Sequence, residues 1–440
     1  MKTVKVSFAV LVALLMAMGI TTQAQAFHSG GVADCEGCHS MHNSFEGAAN
    51  VTGMPQFQSG PYLLKANDAS GACLNCHDSA DTVGSSYHIS TKGVLPLVFT
   101  NNPVEGTAGG DFGWLKKTMN FSVRGAAVVN EGDRHGHNII AIDFGYKADG
   151  KLTAAPGGSY PAANLACSSC HDPHGKYRRL ADGTKNVTGL PIFNSGSYTS
   201  SLDPLAGKGA VGVYRLLAGT GYQPKSLAGS FAFAANSPDA VAKSSYNGVS
   251  TTVNTSAGQK DLVAYGMGMS EWCANCHTSM HNDSYTSGTK GLVHPAGNGG
   301  KLTGAIAAIY DAYLSSGVMT GTGANYSAIV PYELGTNDYT VLKAFVSTPT
   351  VASASNNVNC LSCHRSHASA FESMTRYNLF NEFMTVADAT GNALYDSSTT
   401  EGKINTGYDV AQQTLAYNGR PATVFGPYAR NQCNKCHAKD

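Results

Sequence analysis

The chain has 440 residues with 29 basic and 29 acidic side chains, so its formal net charge is zero, which removes the electrostatic attraction that a nucleic-acid binder relies on. Charged residues make up only 13%, against about 25% in ordinary globular chains, and such a weakly charged surface favours association. Gly fills 50 positions, and a chain this rich in Gly, Ser, Thr and Asn loses much conformational entropy on folding, so cohesion has to come from more than an ordinary core.

From the N-terminus, Lys2 and Lys5 give a short basic region, residues 8–20 are almost wholly apolar, and Ala24-Gln25-Ala26 supplies an A-x-A cleavage site. This pattern predicts a signal peptide over 1–26 and a single domain over 27–440. The apolar run is shorter than the ~20 residues needed to span a bilayer. No cysteine flanks the cleavage site, which argues against a lipoprotein, and no later stretch is apolar enough to cross a membrane.

Beyond the leader, all 12 cysteines fall in six Cys-x-x-Cys-His motifs: Cys35/Cys38/His39, Cys73/Cys76/His77, Cys167/Cys170/His171, Cys273/Cys276/His277, Cys360/Cys363/His364 and Cys433/Cys436/His437. This is the c-type haem attachment pattern. The two thiols add across the porphyrin vinyl groups as thioethers, and the adjacent imidazole reaches the iron as proximal ligand. Zinc knuckles and redox dithiols also use Cys-x-x-Cys, but neither needs a histidine directly after every second cysteine. Six disulfides would also consume the cysteines of an exported protein; haem attachment uses the same sulfurs. Six covalently bound haem c groups are the expected cofactors.

Between the motifs, regular structure is expected to be sparse, with mostly loops and short helices wrapped around a stacked chain of six haems. Helices are predicted around the haem motifs and over 304–315 and 374–384, and short strands over 127–130 and 139–144. Segments 51–62 and 187–198 match at eight of twelve positions. They follow the first and third motifs, which suggests a duplicated haem-binding unit over 35–62 and 167–198; convergent turn chemistry is the alternative.

Of fifteen histidines, six are proximal, leaving His28, His42, His88, His135, His137, His174, His281, His294 and His367. Six bis-histidine irons need six distal ligands, so histidine is in surplus. His42, His174 and His367 lie three residues after a proximal histidine and His281 lies four after one. On a helical turn such pairs share a face, so each should ligate a different, neighbouring haem and pull the two haems together. His88, His137 and His294 are loop candidates, and His28, beside the expected new N-terminus, is a further one. His135 is the histidine most readily set aside. Met41 and Met280 sit beside candidate ligands and are assigned packing roles.

These residues resemble the OmcS-type filament-forming hexahaem cytochromes of metal-reducing bacteria. The resemblance runs over essentially the whole chain after the leader. It is carried by 27–31, 35–43, 85–90, 111–114, 167–179, 221–226, 268–277, 294–298, 357–369 and 433–440. It implies six bis-histidine haems in one stacked chain, alternating parallel and T-shaped neighbours, and head-to-tail polymerisation into extracellular filaments. It also implies that His42 ligates the fifth haem, held by Cys360/Cys363/His364, of the adjacent subunit. His135 is not part of the family pattern.

The expected function is therefore an electron-transfer protein rather than an enzyme. A filament at the outer cell surface, reached through the periplasm, would deliver electrons to extracellular acceptors such as ferric oxides, with other multihaem cytochromes as partners. A globule of this length has a radius of gyration of about 22 Å, so six haems within it must be near neighbours. A monomeric periplasmic shuttle is the main alternative. A multihaem reductase of small molecules would need an open iron, against six regular motifs and surplus histidine; a purely structural filament would have no use for six redox cofactors.

Overall fold

Short polar caps, rather than long periodic stretches, decide where this chain is helical. The computed structural model describes residues 35–40, 44–45, 48–49, 61–78, 87–91, 102–123, 125–244, 248–281, 294–313, 324–395 and 406–437. The expected leader, His28, His42, Met41 and residues 51–60 of the first duplicated segment lie outside them.

The α-helices are α1 (Cys35–Cys38), α2 (Ala69–His77), α3 (Cys167–Cys170), α4 (Met269–Cys273), α5 (Gly304–Ala312), α6 (Tyr339–Ser347), α7 (Cys360–Cys363) and α8 (Val410–Ala416). The last motif begins on the 3-10 turn Gln432–Lys435. Asp68, Thr303, Asp338 and Asp409 each accept a backbone N–H in the first turn of α2, α5, α6 and α8, satisfying donors that would otherwise be orphaned. Strands are two to five residues long and pair antiparallel in two-stranded ribbons and one three-stranded sheet. The fold class is thus as the sequence predicts: loops joined by short elements.

The main core lies around the fourth to sixth motifs. Helix α6 turns Tyr339, Leu342, Phe345 and Val346 inward onto the ribbon formed by Ala240–Ala242 and Val263–Tyr265. Trp114, Tyr310, Tyr326, Tyr332, Tyr377, Tyr395, Tyr408 and Phe425 extend the cluster. The buried phenols are tied to backbone carbonyls, Tyr310 to Val330 at 2.7 Å, Tyr326 to Val263 at 3.0 Å and Tyr408 to Ala370 at 2.7 Å. These three rings are thereby buried without stranding their hydroxyls.

Two predicted elements form as expected: Gly304–Ala312 is helical, and Ala126–Asn130 pairs with Met119–Val123. Two do not. At 139–144 the chain makes a β-bridge from Ala141 to Tyr146 and a 3-10 turn, Ile142–Phe144, because the Ile142 N–H is taken by the Asp68 carboxylate instead of a strand partner. Over 374–384 there is no helix. Ser373 and Met374 adopt φ of +58° and +49°, and the chain then runs back along the fifth haem motif.

Candidate haem-binding sites

None of the twelve cysteines is joined to another in a disulfide, which speaks against the six-disulfide alternative. Cys76 is exposed, as are Cys35 and Cys433, while the remaining cysteines are half-buried. Helix α2 buries Ser70, Gly71, Ala72 and Leu74, and the two thiols of its motif differ in exposure, Cys76 being exposed and Cys73 half-buried.

Among the described residues no group of three or more His, Cys, Asp or Glu gathers as a cage for a metal ion, whereas a structural zinc needs four such ligands. The histidines instead come in twos. His39 and His174 stack with ring centroids 6.3 Å apart and planes 8° from parallel. His171 and His367 are 6.3 Å apart, His277 and His137 6.0 Å, and His437 and His294 6.0 Å. His88 lies close enough to His77 for that ring to depress its pKa, after burial as the larger cause.

The spacing has a simple reading. A metal–imidazole bond is about 2 Å long and the bonding nitrogen lies roughly 1 Å from the ring centre, so imidazoles on opposite sides of one metal have centroids about 6 Å apart. Four pairs meet that distance, each joining one proximal histidine to one distal candidate. The donor set fits haem c: two thiols and a proximal imidazole per motif, with a second imidazole facing it.

The tautomers suit this arrangement. His39, His77, His171, His277 and His364 each point Nδ1 at a backbone carbonyl, of Tyr62, Tyr87, Arg215, Pro156 and Ser373, at 2.6–3.1 Å. A carbonyl can only accept, so Nδ1 carries the proton and the Nε2 lone pair faces the haem site. His137 is held the same way by Ser366 O at 2.8 Å. Burial pushes the pKa of His137 down to about 4 and that of His367 to about 3, with the facing or neighbouring histidines adding to it. Both rings are neutral at physiological pH, the form in which an imidazole can serve as a ligand.

The first, third and fifth motifs share a backbone bracket that is not evident from sequence. Tyr62 and Leu63, Arg215 and Leu216, and Ser373 and Met374 are consecutive non-glycine residues in the left-handed region, φ +49° to +60°. That conformation costs about 1–2 kcal/mol per residue. In each pair the first carbonyl accepts the proximal Nδ1–H, and the second accepts the N–H of the residue after that histidine: Ser40, Asp172 or Arg365. Two residues on, the N–H of Lys65, Ala218 or Arg376 returns to the carbonyl of the motif's second cysteine. The strain is stored where it aims an imidazole. The echo Tyr62-Leu63-Leu64 and Arg215-Leu216-Leu217 is the one sequence signal that could have disclosed it.

The bracket also corrects the helical-turn premise. His171 and His364 are extended, at φ −104°, ψ 136° and φ −109°, ψ 155°, so His174 and His367 do not sit one helical turn beyond them. They nevertheless face proximal rings of other motifs, the first and the third.

Even and odd motifs dock in a second repeated way. The Cys167 N–H donates to Ser70 Oγ at 3.1 Å, and the Cys360 N–H to Ser270 Oγ at 3.0 Å. These serines each stand three residues before the first cysteine of the second and fourth motifs, so α2 abuts α3 as α4 abuts α7.

Three histidines behave differently. His281 Nε2 lies 3.6 Å from Glu271 Oε1. His135 is fully buried with Nδ1 on Trp114 O at 3.0 Å, in a structural position. His364 has its bracket but faces no histidine ring among the described pairs.

No family model matches the chain. It is 54% identical over 445 aligned residues to the C-type cytochrome OmcS of Geobacter sulfurreducens, covering the whole of both chains. Two solved structures superpose with a TM-score of 0.85 over 94% of this chain and all of theirs. They are OmcS nanowires from Geobacter sulfurreducens seen by cryo-electron microscopy, 54% identical, and an Outer Membrane Cytochrome S filament from the same organism, 55% identical.

Proposed function

Because the chain belongs to the family of the C-type cytochrome OmcS, we propose that it carries six haem c groups and transfers electrons over long range as an extracellular homopolymeric filament. The haem supplies the one-electron chemistry. The chain's own residues attach it, present neutral imidazoles from both sides and keep adjacent sites in contact. An iron with two imidazole ligands has no open position, so electrons pass and substrates do not bind to it.

One observation carries the filament reading. The histidine three after the proximal ligand of the third motif faces the first motif's ring, and that of the fifth motif faces the third motif's ring. Odd motifs thus hand their trailing histidine back by two. Continued once more, this order assigns to His364 the histidine three after the next odd proximal ligand, and that residue is His42 of a following copy. The fifth site is completed by a second chain, head to tail, and a heterologous contact that does not close gives a filament.

The distal set under this reading is His174, His88, His367, His137, His42 of the next copy and His294, for motifs one to six in order. His28, His135 and His281 stay outside it. The bracket shared by the first and third motifs supports a duplicated haem-binding unit over 35–62 and 167–198 within a single domain over 27–440. The leader 1–26 is the export signal. Among the described residues no helix is long and apolar enough to cross a membrane.

Cryo-electron microscopy of the purified haem-loaded protein tests this. Filaments with six haems per subunit are expected, and His42→Ala is expected to keep six haems while losing filaments and one low-spin iron. Normal filaments of His42→Ala with every iron low-spin would overturn the intersubunit assignment. Dispersed monomers of the unaltered protein would favour a periplasmic shuttle.

A further inference from the structure

The three odd sites share a backbone bracket but not its charge. The residue after the proximal histidine is Ser40, Asp172 or Arg365, and the residue returning to the second cysteine is Lys65, Ala218 or Arg376. Only the fifth motif has arginine at both places, and both are 1% exposed.

These guanidiniums are not neutralised. Arg376 Nε donates to the carbonyl of His364 itself at 3.0 Å, and its Nη1 to Ala328 O at 3.0 Å. Arg365 Nη1 donates to Ala108 O at 3.1 Å. On both residues Nη2 is buried with no hydrogen-bond partner. The charged groups acting on Arg365 are Arg376, Asp261 and Arg420. Asp261 is already engaged: Arg420 reaches its two oxygens at 2.7 and 3.2 Å, and Asn418 and Ser250 complete its hydrogen bonds. Three buried arginines therefore face one buried carboxylate.

We propose that Arg365 and Arg376 form a buried cationic pair that raises the affinity of the fifth haem for its electron. This rests on the six-haem reading above. Reduction adds one electron, from a neighbouring haem or an electrode, to a ferric iron that becomes ferrous; no bond breaks and no proton moves. The site loses one positive charge, and fixed positive charges in a medium less polarisable than water favour that change. The free Nη2 groups can take a haem carboxylate, and with or without that bond the pair adds positive charge beside the proximal ligand. The fifth haem is also the one awaiting a ligand from the next copy, so the tuned site sits at the junction.

Potentiometric titration of the haem-loaded protein, with haems counted chemically, tests the pair. In Arg376→Met about one sixth of the absorbance change is expected to move to lower potential, by about tenfold in the reduction equilibrium or ~59 mV for a one-electron couple. Arg376→Lys, which keeps the charge, is expected to titrate like the unaltered protein. Asp261→Asn, which removes the opposing charge, is expected to move the same sixth upward. A six-haem Arg376→Met with an unshifted curve overturns the inference, as does a drop of equal size in Arg376→Lys. If Arg376→Met loads fewer than six haems, the absence of an upward shift in Asp261→Asn overturns it instead. Fewer than six haems in the unaltered protein would count against the six-haem reading and not against the pair.

Discussion

His39 and His174 face each other 6.3 Å apart and 8° from parallel, although one belongs to the first motif and the other trails the third. The distance is that of two imidazoles across one iron. His174→Ala is therefore expected to retain six covalent haems while one iron turns high-spin, read by electron paramagnetic resonance and visible absorption. His281→Ala, altered beside Glu271, is expected to leave all irons low-spin. The opposite pattern would exchange the roles of the two histidines.

The third site depends on a close backbone approach. The His367 N–H donates to Gly109 O at 2.8 Å, and Phe112 stacks on its ring at 4.7 Å. Between them, Gly110 has φ +87°, and a Cβ there would lie 1.7 Å from Ala368 O. Gly110→Ala should cost well over ~1 kcal/mol and shift His367, giving a lower denaturation midpoint and a partly high-spin third iron. Unchanged stability and spectra would show that the segment can relax.

Asp261 links stability to acid. Burial alone would raise its pKa, but the Arg420 guanidinium and its hydrogen bonds outweigh this and hold the carboxyl well below the usual range. A depressed folded-state pKa contributes stability that is present above the unfolded value, ~3.9, and is lost as pH falls toward the folded one. Asp261→Asn breaks a buried pair, at a cost of about 3–5 kcal/mol near neutrality. That deficit should shrink between pH 5 and pH 2.5 in guanidinium titrations. A constant deficit over that interval would mean that the Asp261 charge contributes nothing.

Glu333 works in the other direction. It is fully buried and accepts from the Met269 N–H at 2.9 Å, and burial pushes its carboxyl up to about 8. A raised folded-state pKa means stability fully present below the unfolded value, ~4.3, and lost as pH rises toward 8, at about 1.4 kcal/mol per unit. Glu333→Gln cannot ionise, so its stability relative to the unaltered chain should climb from pH 5 to pH 8. Parallel pH profiles for the two proteins would show that Glu333 is charged in the fold.

Much of the candidate site was legible because haem attachment is local chemistry. Cysteine and histidine must be contiguous to hold one porphyrin, so Cys360, Cys363 and His364 declare themselves in any fold. The helix Gly304–Ala312 was legible for a similar reason, since Thr303 caps it from the adjacent position. Distal ligation is not local. Nothing near His137 says that it faces His277, because that meeting is made by Ser366 O and Pro156 O from distant parts of the chain. The predicted helix over 374–384 failed because the carbonyls of Ser373 and Met374 were claimed by His364 and Arg365, which propensity cannot see. Sequence alone determined what each motif binds, since a covalent bond needs only neighbouring side chains. Tertiary structure decided which histidine faces which motif and where buried charge collects, since both depend on groups brought together only when the chain closes around them.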